Sequence, residues 1–268
     1  MRTLEANFYL MIEVTDLRKE FLLSKQQKKE LNTKEAKAIA VDGVSFTCQP
    51  GRVYSLLGPN GAGKTTTMRM LSTIFKPTSG TIQIAGIDAV KNPQEARRKI
   101  GFLTGSTGLY ARLTPNEMVK YFADLYGIGN DEFEERKNRL FDLLDMNDFQ
   151  NKRIGKLSTG MKQKVSICRT MIHDPEVVVF DEPTSGLDVI TAENIIQLIR
   201  DCRDQGKTVI FSSHIMSEVD LLCDDIGIIH KGKMLFNGSM NDFKGQMQAE
   251  NLTAEFIRIV NQSKAMNS

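Results

Sequence analysis

Apolar positions recur along this chain in two rhythms. From Met11, MIEVTDLRKEF alternates apolar and polar residues and reads as an edge strand. AVDGVSFTCQPGRVYSLLG gives two more strands around a turn at Pro50-Gly51, and TIQIAG gives another, closed by Gly86. Between the first two lies LLSKQQKKELNTKEAKAIA, rich in Lys, Gln and Glu, which reads as a solvated hairpin loop or a short helix. The rhythm then lengthens. PNEMVKYFADLYG and DEFEERKNRLFDLLDM carry apolar residues at helical spacing behind acidic starts. They read as a helical subdomain, about residues 112–165, inserted into an α/β chain, and LSTGMKQKVSICRTMIH continues as a further helix. EVVVFDE has the β-branched run of a parallel strand buried on both faces. AENIIQLIRDCRDQ is a helix, KTVIFSSH a strand, and DIGIIHKGKMLFNG a hairpin centred on Lys231-Gly232. Residues 1–240 form one α/β domain in this reading, and residues 241–268 a polar tail whose apolar patch LTAEFIRIV is a terminal helix.

Composition narrows the classes. The 268 residues, 41% hydrophobic and 25% charged, suit a soluble globular protein. Thirty-five basic against 33 acidic residues leave a net charge of +2, which gives no case for a nucleic-acid partner. The cysteines, Cys48, Cys168, Cys202 and Cys223, form no CxxC pair and point to a reducing compartment. The histidines, His173, His214 and His230, lack metal-ligand spacing. The start, MRTLEANFYLMIEV, has an apolar patch too short for a signal-peptide core, and residues 1–10 read as an accessory tail or as the product of an upstream start codon. No stretch approaches the roughly 18 apolar residues of a membrane span. Any membrane role therefore passes through a partner.

The strongest chemical signal is GPNGAGKT at residues 58–65, which fills G-x-x-x-x-G-K-[ST] between the apolar strand VYSLL and the helix KTTTMRMLSTIF. Gly58, Pro59, Asn60, Gly61, Ala62 and Gly63 form a loop that can curl its N–H groups toward phosphate oxygens. The helix that starts at Lys64, Thr65 and Thr66 adds the positive end of its dipole. Lys64 can reach the β- and γ-phosphates of a nucleotide, and the Thr65 hydroxyl can coordinate Mg²⁺. The acidic half is VVVFDE, about 115 residues later. Asp181 at the strand's end suits Mg²⁺ held through water, and Glu182 can orient and deprotonate an attacking water. The expected ligands are a nucleoside triphosphate, ATP in the family resemblance that follows, and Mg²⁺.

With these motifs in this order, the chain resembles the nucleotide-binding subunits of ATP-binding cassette transporters over roughly residues 11–240. LSTGMKQK looks like the family signature, EPTSGLD like the extended loop that ends at Asp188, and His214 matches the switch histidine. The resemblance implies a P-loop NTPase core with a parallel sheet, an antiparallel β subdomain and an inserted helical subdomain. It implies that Phe21 stacks on adenine, and that Ser158 and Gly160 touch the γ-phosphate held by a second subunit in a head-to-tail sandwich. That second subunit is another copy or a homologous ATPase. Asp188 then lets the two subunits sense each other. The implied partner is an integral membrane permease, docked on the helical segment around 115–149, with the chain at the cytoplasmic face of the cell membrane. LTGSTGLYARLTP and the Met of LSTGM are similar to bacterial exporters of the sodium-extrusion and drug-resistance type. The signature departs from LSGGQ at Thr159 and Met161. The rival reading is a soluble ATPase of the same fold acting in translation, repair or iron–sulfur assembly. The single phosphate loop and the lack of a heptad array argue against it. A generic P-loop NTPase or kinase has no use for LSTGM and His214 together.

GFLTGSTGLY, residues 101–110, lacks a Lys-Thr and is not a second phosphate loop. In the family's alignment Gly105 stands where a glutamine usually contacts Mg²⁺ and water, and a one-residue shift puts Ser106 there instead. No Gln occurs between Gln94 and Gln150 under either register. The expectation is a flexible hinge, with Glu182 and His214 carrying catalysis without the glutamine ligand.

Overall fold

The computed structural model describes residues 10–30, 32–104 and 108–265. Two sheets and their helices make three layers. The central layer is a six-stranded sheet in the order β10-β9-β3-β8-β7-β6. Its members are β3 (Val53–Leu57), β6 (Ile100–Thr104), β7 (Val177–Asp181), β8 (Thr208–Ser213), β9 (Asp225–His230) and β10 (Lys233–Ser239). All are parallel except β10, which forms the expected hairpin with β9. β3, β7 and β8 are buried along their full length, the condition their continuous apolar runs encode.

Alternate side chains of this sheet feed two cores. Val53, Leu57, Val178, Phe180, Val209 and Phe211 face one, and Tyr54, Leu56, Val177, Val179 and Ile210 face the other. The second core is closed by α2 (Lys64–Leu71) and by a four-stranded antiparallel sheet in the order β2-β1-β4-β5. That sheet comprises β1 (Ile12–Leu22), β2 (Lys37–Cys48), β4 (Ser79–Ile84) and β5 (Ile87–Asp88). Here the sequence reading needs correction: β1 is no edge strand, since it pairs with both β2 and β4. Alternation records which face is wet and says nothing of the strands on either side. The Lys-rich excursion carries a short helix, α1 (Lys25–Glu30), at the tip of the β1–β2 hairpin.

The first core is filled by helices. After α3 (Pro93–Lys99) and β6, the chain leaves the sheet and returns one strand away in β7, a parallel step that demands a crossover. The crossover consists of α4 (Pro115–Leu125), α5 (Asn130–Leu143) and α6 (Thr159–Met171). Thr114 and Glu117 start α4 with reciprocal capping bonds, and Pro115 sits in its first turn. Met118, Val119, Phe133 and Phe141 pack against Val165 and Ile167 of α6. α7 (Val189–Asp204) and α8 (Met216–Leu222) complete this layer. α9 (Met240–Gln246) and α10 (Leu252–Ala265) end the chain, and Met240 and Phe243 of α9 enter the same core. Among the described residues no helix is long and apolar enough to cross a membrane.

Candidate nucleotide site

The glycine loop joins the C-terminal end of β3 to α2, at the carboxyl edge of a parallel sheet where ligands bind. Gly63 caps α2 in the left-handed region, φ 108°. A Cβ there would lie 2.6 Å from the carbonyl oxygen of Ala40, so only glycine lets β2 close over the loop. The β9–β10 turn braces it from beneath. Gly232 N–H donates to Ala62 O and Gly232 O accepts from Asp42 N–H, both at 2.8 Å. The turn needs φ of 48° at Lys231 and 79° at Gly232, the mirror-image turn of tight hairpins. The sequence marked this hairpin but not its service to the loop.

A cleft of about 170 Å³ results, lined by Asn60, Gly61, Gly63, Lys64, Thr66 and Glu182 among others. Lys64 is 5% exposed and donates to Gly58 O at 2.7 Å and Pro59 O at 3.3 Å. Its ammonium also lies 3.3 Å from Glu182 Oε1. On the other carboxylate oxygen of Glu182, His214 Nδ1 stands at 3.6 Å. Glu182 thus spans the buried lysine and a half-exposed histidine. Asp181 Oδ1 accepts from Thr65 Oγ1 at 3.1 Å and from Ser212 Oγ at 2.8 Å. Ser212 Oγ accepts from Glu182 N–H at 3.0 Å, which fixes the backbone where Glu182 takes φ 51°. Ser212 is the functional residue the motif reading passed over, although FSSH holds it two places before His214. Ser213 braces the bend at His214, donating to Glu218 and accepting from Ile215 N–H.

Three sequence-predicted residues lie elsewhere. Ser158 caps α6, accepting from Met161 N–H at 3.2 Å, and is exposed. Asp188 caps α7 through Thr191 N–H at 2.9 Å and Thr191 Oγ1 at 2.8 Å. The hydrogen bond from the Thr191 amide holds the Asp188 carboxyl below its ordinary value. A Cβ on Gly160 would sit 3.1 Å from Thr191 Oγ1, so α6 and α7 meet closely at this point. None of Ser158, Gly160 and Asp188 lines the cleft. Gln163, unremarked in the sequence, ties α6 to the loop after Glu182 by donating to Pro183 O at 3.2 Å.

Phe21 stands on the flank. It pairs with Ala38, on the face of β2 that carries Ala40 to the cleft, and meets Phe75 edge-on at 5.6 Å. The Lys19 ammonium lies 5.1 Å from its ring centre. Gly105, Ser106 and Thr107, the expected hinge, lie outside the described residues.

A second concavity lies between α3 and the α4–α5 turn. A groove of about 780 Å³ adjoins one of about 240 Å³, and both are lined by Arg97, Phe122, Tyr126 and His173. Tyr126 stacks on His173 at 3.9 Å with 7° between planes. Burial lowers the imidazole to about 4, so it is neutral at physiological pH. Ile74, Leu125 and Tyr126 are exposed apolar residues along this groove.

Comparison with known proteins agrees with this geometry. The family described as ABC transporter matches residues 41–185. The ABC transporter ATP-binding protein NatA of Bacillus subtilis is 40% identical over 248 residues, covering 92% of this chain and 97% of that protein. The bacitracin transport ATP-binding protein BcrA of Bacillus licheniformis is 42% identical over 200 residues, 73% of this chain and 63% of its own. A solved structure of an ATP binding subunit of an ABC transporter superimposes with TM-score 0.80 at 26% identity, covering 93% of this chain and 99% of that one. A dimeric bacterial ABC transporter cassette, MJ0796, gives 0.75 at 25% identity, covering 86% and 99%.

Proposed function

This chain belongs to the ABC transporter family as an ATP-hydrolysing subunit, and we propose that it powers export of a substrate through a separate membrane permease. The observation that carries the reading is that Lys64, Thr65 and Glu182 line one glycine-walled cleft, with Asp181 bonded to Thr65 and His214 3.6 Å from Glu182. The similarity to NatA and BcrA supports the transport role, since one is named an ABC transporter ATP-binding protein and the other a bacitracin transport ATP-binding protein.

The residues fit Mg²⁺ with bound phosphates. A hydroxyl and one buried carboxylate stand 3.1 Å apart, and among the described residues no larger cluster of His, Cys, Asp or Glu forms a metal cage. Magnesium completes its shell with water and substrate oxygens, so this sparse set suits it. Thr65 and Asp181 would hold the ion, which would offset charge on the β- and γ-phosphates. The loop amides and Lys64 cradle the phosphates. When phosphate oxygens take the Lys64 ammonium, Glu182 is released from it and can accept a proton from water. His214, already beside Glu182, supplies a donor for the γ-phosphate.

Ser158 and Gly160 sit outside the cleft at an exposed helix N-terminus, which supports a second copy or a homologous ATPase completing each site head to tail. The groove between α3 and the α4–α5 turn is our candidate seat for the permease, which holds the chain at the cytoplasmic face of the membrane. Closure of the pair on ATP and opening after hydrolysis is the two-state motion the permease follows. Copurification from membranes with an integral partner, and loss of transport by the reconstituted complex carrying E182Q, test the reading. A soluble chain with no such partner would instead support the translation, repair or assembly class.

A further inference from the structure

The Lys-rich excursion between β1 and β2 has no part in the nucleotide chemistry described above. Residues 22–37 contain five lysines and two glutamates, a net of +3 in a chain whose total is +2. Lys25, Lys29 and Lys34 are exposed, and among the described residues none of them forms an ion pair. Lys25 and Lys29 lie within α1, which buries no residue at all. Six residues are too few for an independently stable helix. Local bonds set its start: Ser24 N–H donates to Gln27 Oε1 and Gln27 N–H to Ser24 Oγ. A polar helix with nothing packed on it needs another reason to exist.

Its stem is not polar. Leu22 is 78% exposed and Ile39 48%. The β1–β2 register pairs Leu22 with Lys37 and Glu20 with Ile39, so alternation puts both apolar side chains on one face of the hairpin. The opposite face carries Phe21 and turns toward Phe75. On that face Glu20 is neutralised by Arg18 and Lys37, and exposed aliphatic residues next to the exposed lysines of α1 are the mixture that suits a membrane interface, where stems bury and ammonium groups meet phosphates.

The arm is also placed on the appropriate side. Phe21 packs on Phe75, and Lys19 Nζ donates to Lys76 O at 2.7 Å, which fixes the base of the arm to the segment that follows α2. Ile74, one residue before Phe75, is 55% exposed and lines the smaller groove that adjoins the one assigned above to the permease. The arm therefore rises beside the surface that meets the membrane subunit.

We propose that the β1–β2 arm, with Lys25, Lys28, Lys29, Lys34, Leu22 and Ile39, binds the anionic phospholipid surface beside the docked permease. This rests on the permease reading for its orientation, but lipid binding itself requires no permease. The arm acts as a second foothold whose contribution adds to that of the groove.

The test uses the full chain and vesicles of phosphatidylcholine alone or mixed with phosphatidylglycerol. The expected result is sedimentation with the anionic vesicles only, weakened by salt. K25E/K28E/K29E should lower that partition by about a hundredfold, from roughly a fivefold loss per lysine. L22S/I39S should lower it by roughly tenfold. Neither variant touches the phosphate cleft, so basal ATP turnover stays unchanged. Equal binding to both vesicle types, or binding indifferent to charge reversal, overturns the proposal. So does absence of vesicle binding, and loss of permease copurification in K25E/K28E/K29E would then identify a protein partner for the arm. Failure of the permease reading shows separately, as a chain that binds anionic vesicles but recovers no integral partner.

Discussion

The phosphate cleft and the N-terminus of α6 are the two places where we propose that phosphate is held, and they differ in how much of the task one chain completes. The cleft is wired from within. Lys64 is buried among carbonyls and Glu182, Asp181 is held by Thr65 and Ser212, and the loop is clamped between Ala40 and Gly232. At α6 Ser158 is exposed, and its hydroxyl accepts from Met161 N–H as the helix cap. Its connections run sideways, from Gly160 to Thr191 and from Gln163 to Pro183. On the function we propose, a single chain binds nucleotide, whereas fast turnover waits for a second chain. The link from Gln163 to the loop after Glu182 ties the two regions mechanically.

Substitutions can pull this contrast apart. The largest effect is expected from E182Q, which keeps shape and removes the base. Turnover in the assembled complex should fall by about 10²–10⁴-fold. Nucleotide affinity should hold or tighten, because the Lys64 ammonium loses its carboxylate competitor. Turnover near that of the unmodified protein would remove Glu182 from the role of base. S158D comes next. Aspartate caps a helix as well as serine, so the fold survives, while its charge opposes a phosphate from the partner copy. Turnover should drop about 10²–10³-fold with single-chain ATP affinity unchanged. A parallel loss of affinity in the isolated chain would merge the two regions into one site.

K64A should weaken nucleotide binding by roughly ten- to hundredfold, measured by calorimetry. Unchanged affinity would sink the phosphate-loop assignment. S212A removes the bridge between Asp181 and the Glu182 amide and should slow turnover by about tenfold, with a smaller change in affinity. The smallest effect is expected from F21A. Its ring is shared with Phe75, so loss of adenine stacking should cost about fivefold in affinity for ATP. An equal loss for a triphosphate lacking the base would assign Phe21 to packing alone.

Much of the cleft was legible beforehand because its motifs are local. GPNGAGKT fixes a turn, a helix start and a lysine within eight residues, and VVVFDE places its acids at a strand's end. The Lys231-Gly232 turn was legible for the same reason. Other features were hidden. Ser212 is an ordinary strand serine until β8 sets it beside β7, where Asp181 pairs with it in register. Nothing in MIEVTDLRKEF shows that β4 covers its second side. The groove joins Arg97 on α3, Tyr126 after α4 and His173 after α6, three segments with no common local pattern.

The sequence by itself determined the chain's chemistry and its alternation of strands and helices, because torsional preference, capping and apolar period are properties of neighbouring residues. The tertiary structure decided what stands across from each of them. It set Ala40 and Gly232 against the phosphate loop, drew Glu182 between Lys64 and His214, and left Ser158 facing outward. Those contacts depend on sheet order and on the packing of residues tens to more than a hundred positions apart, and a local pattern carries no term for either.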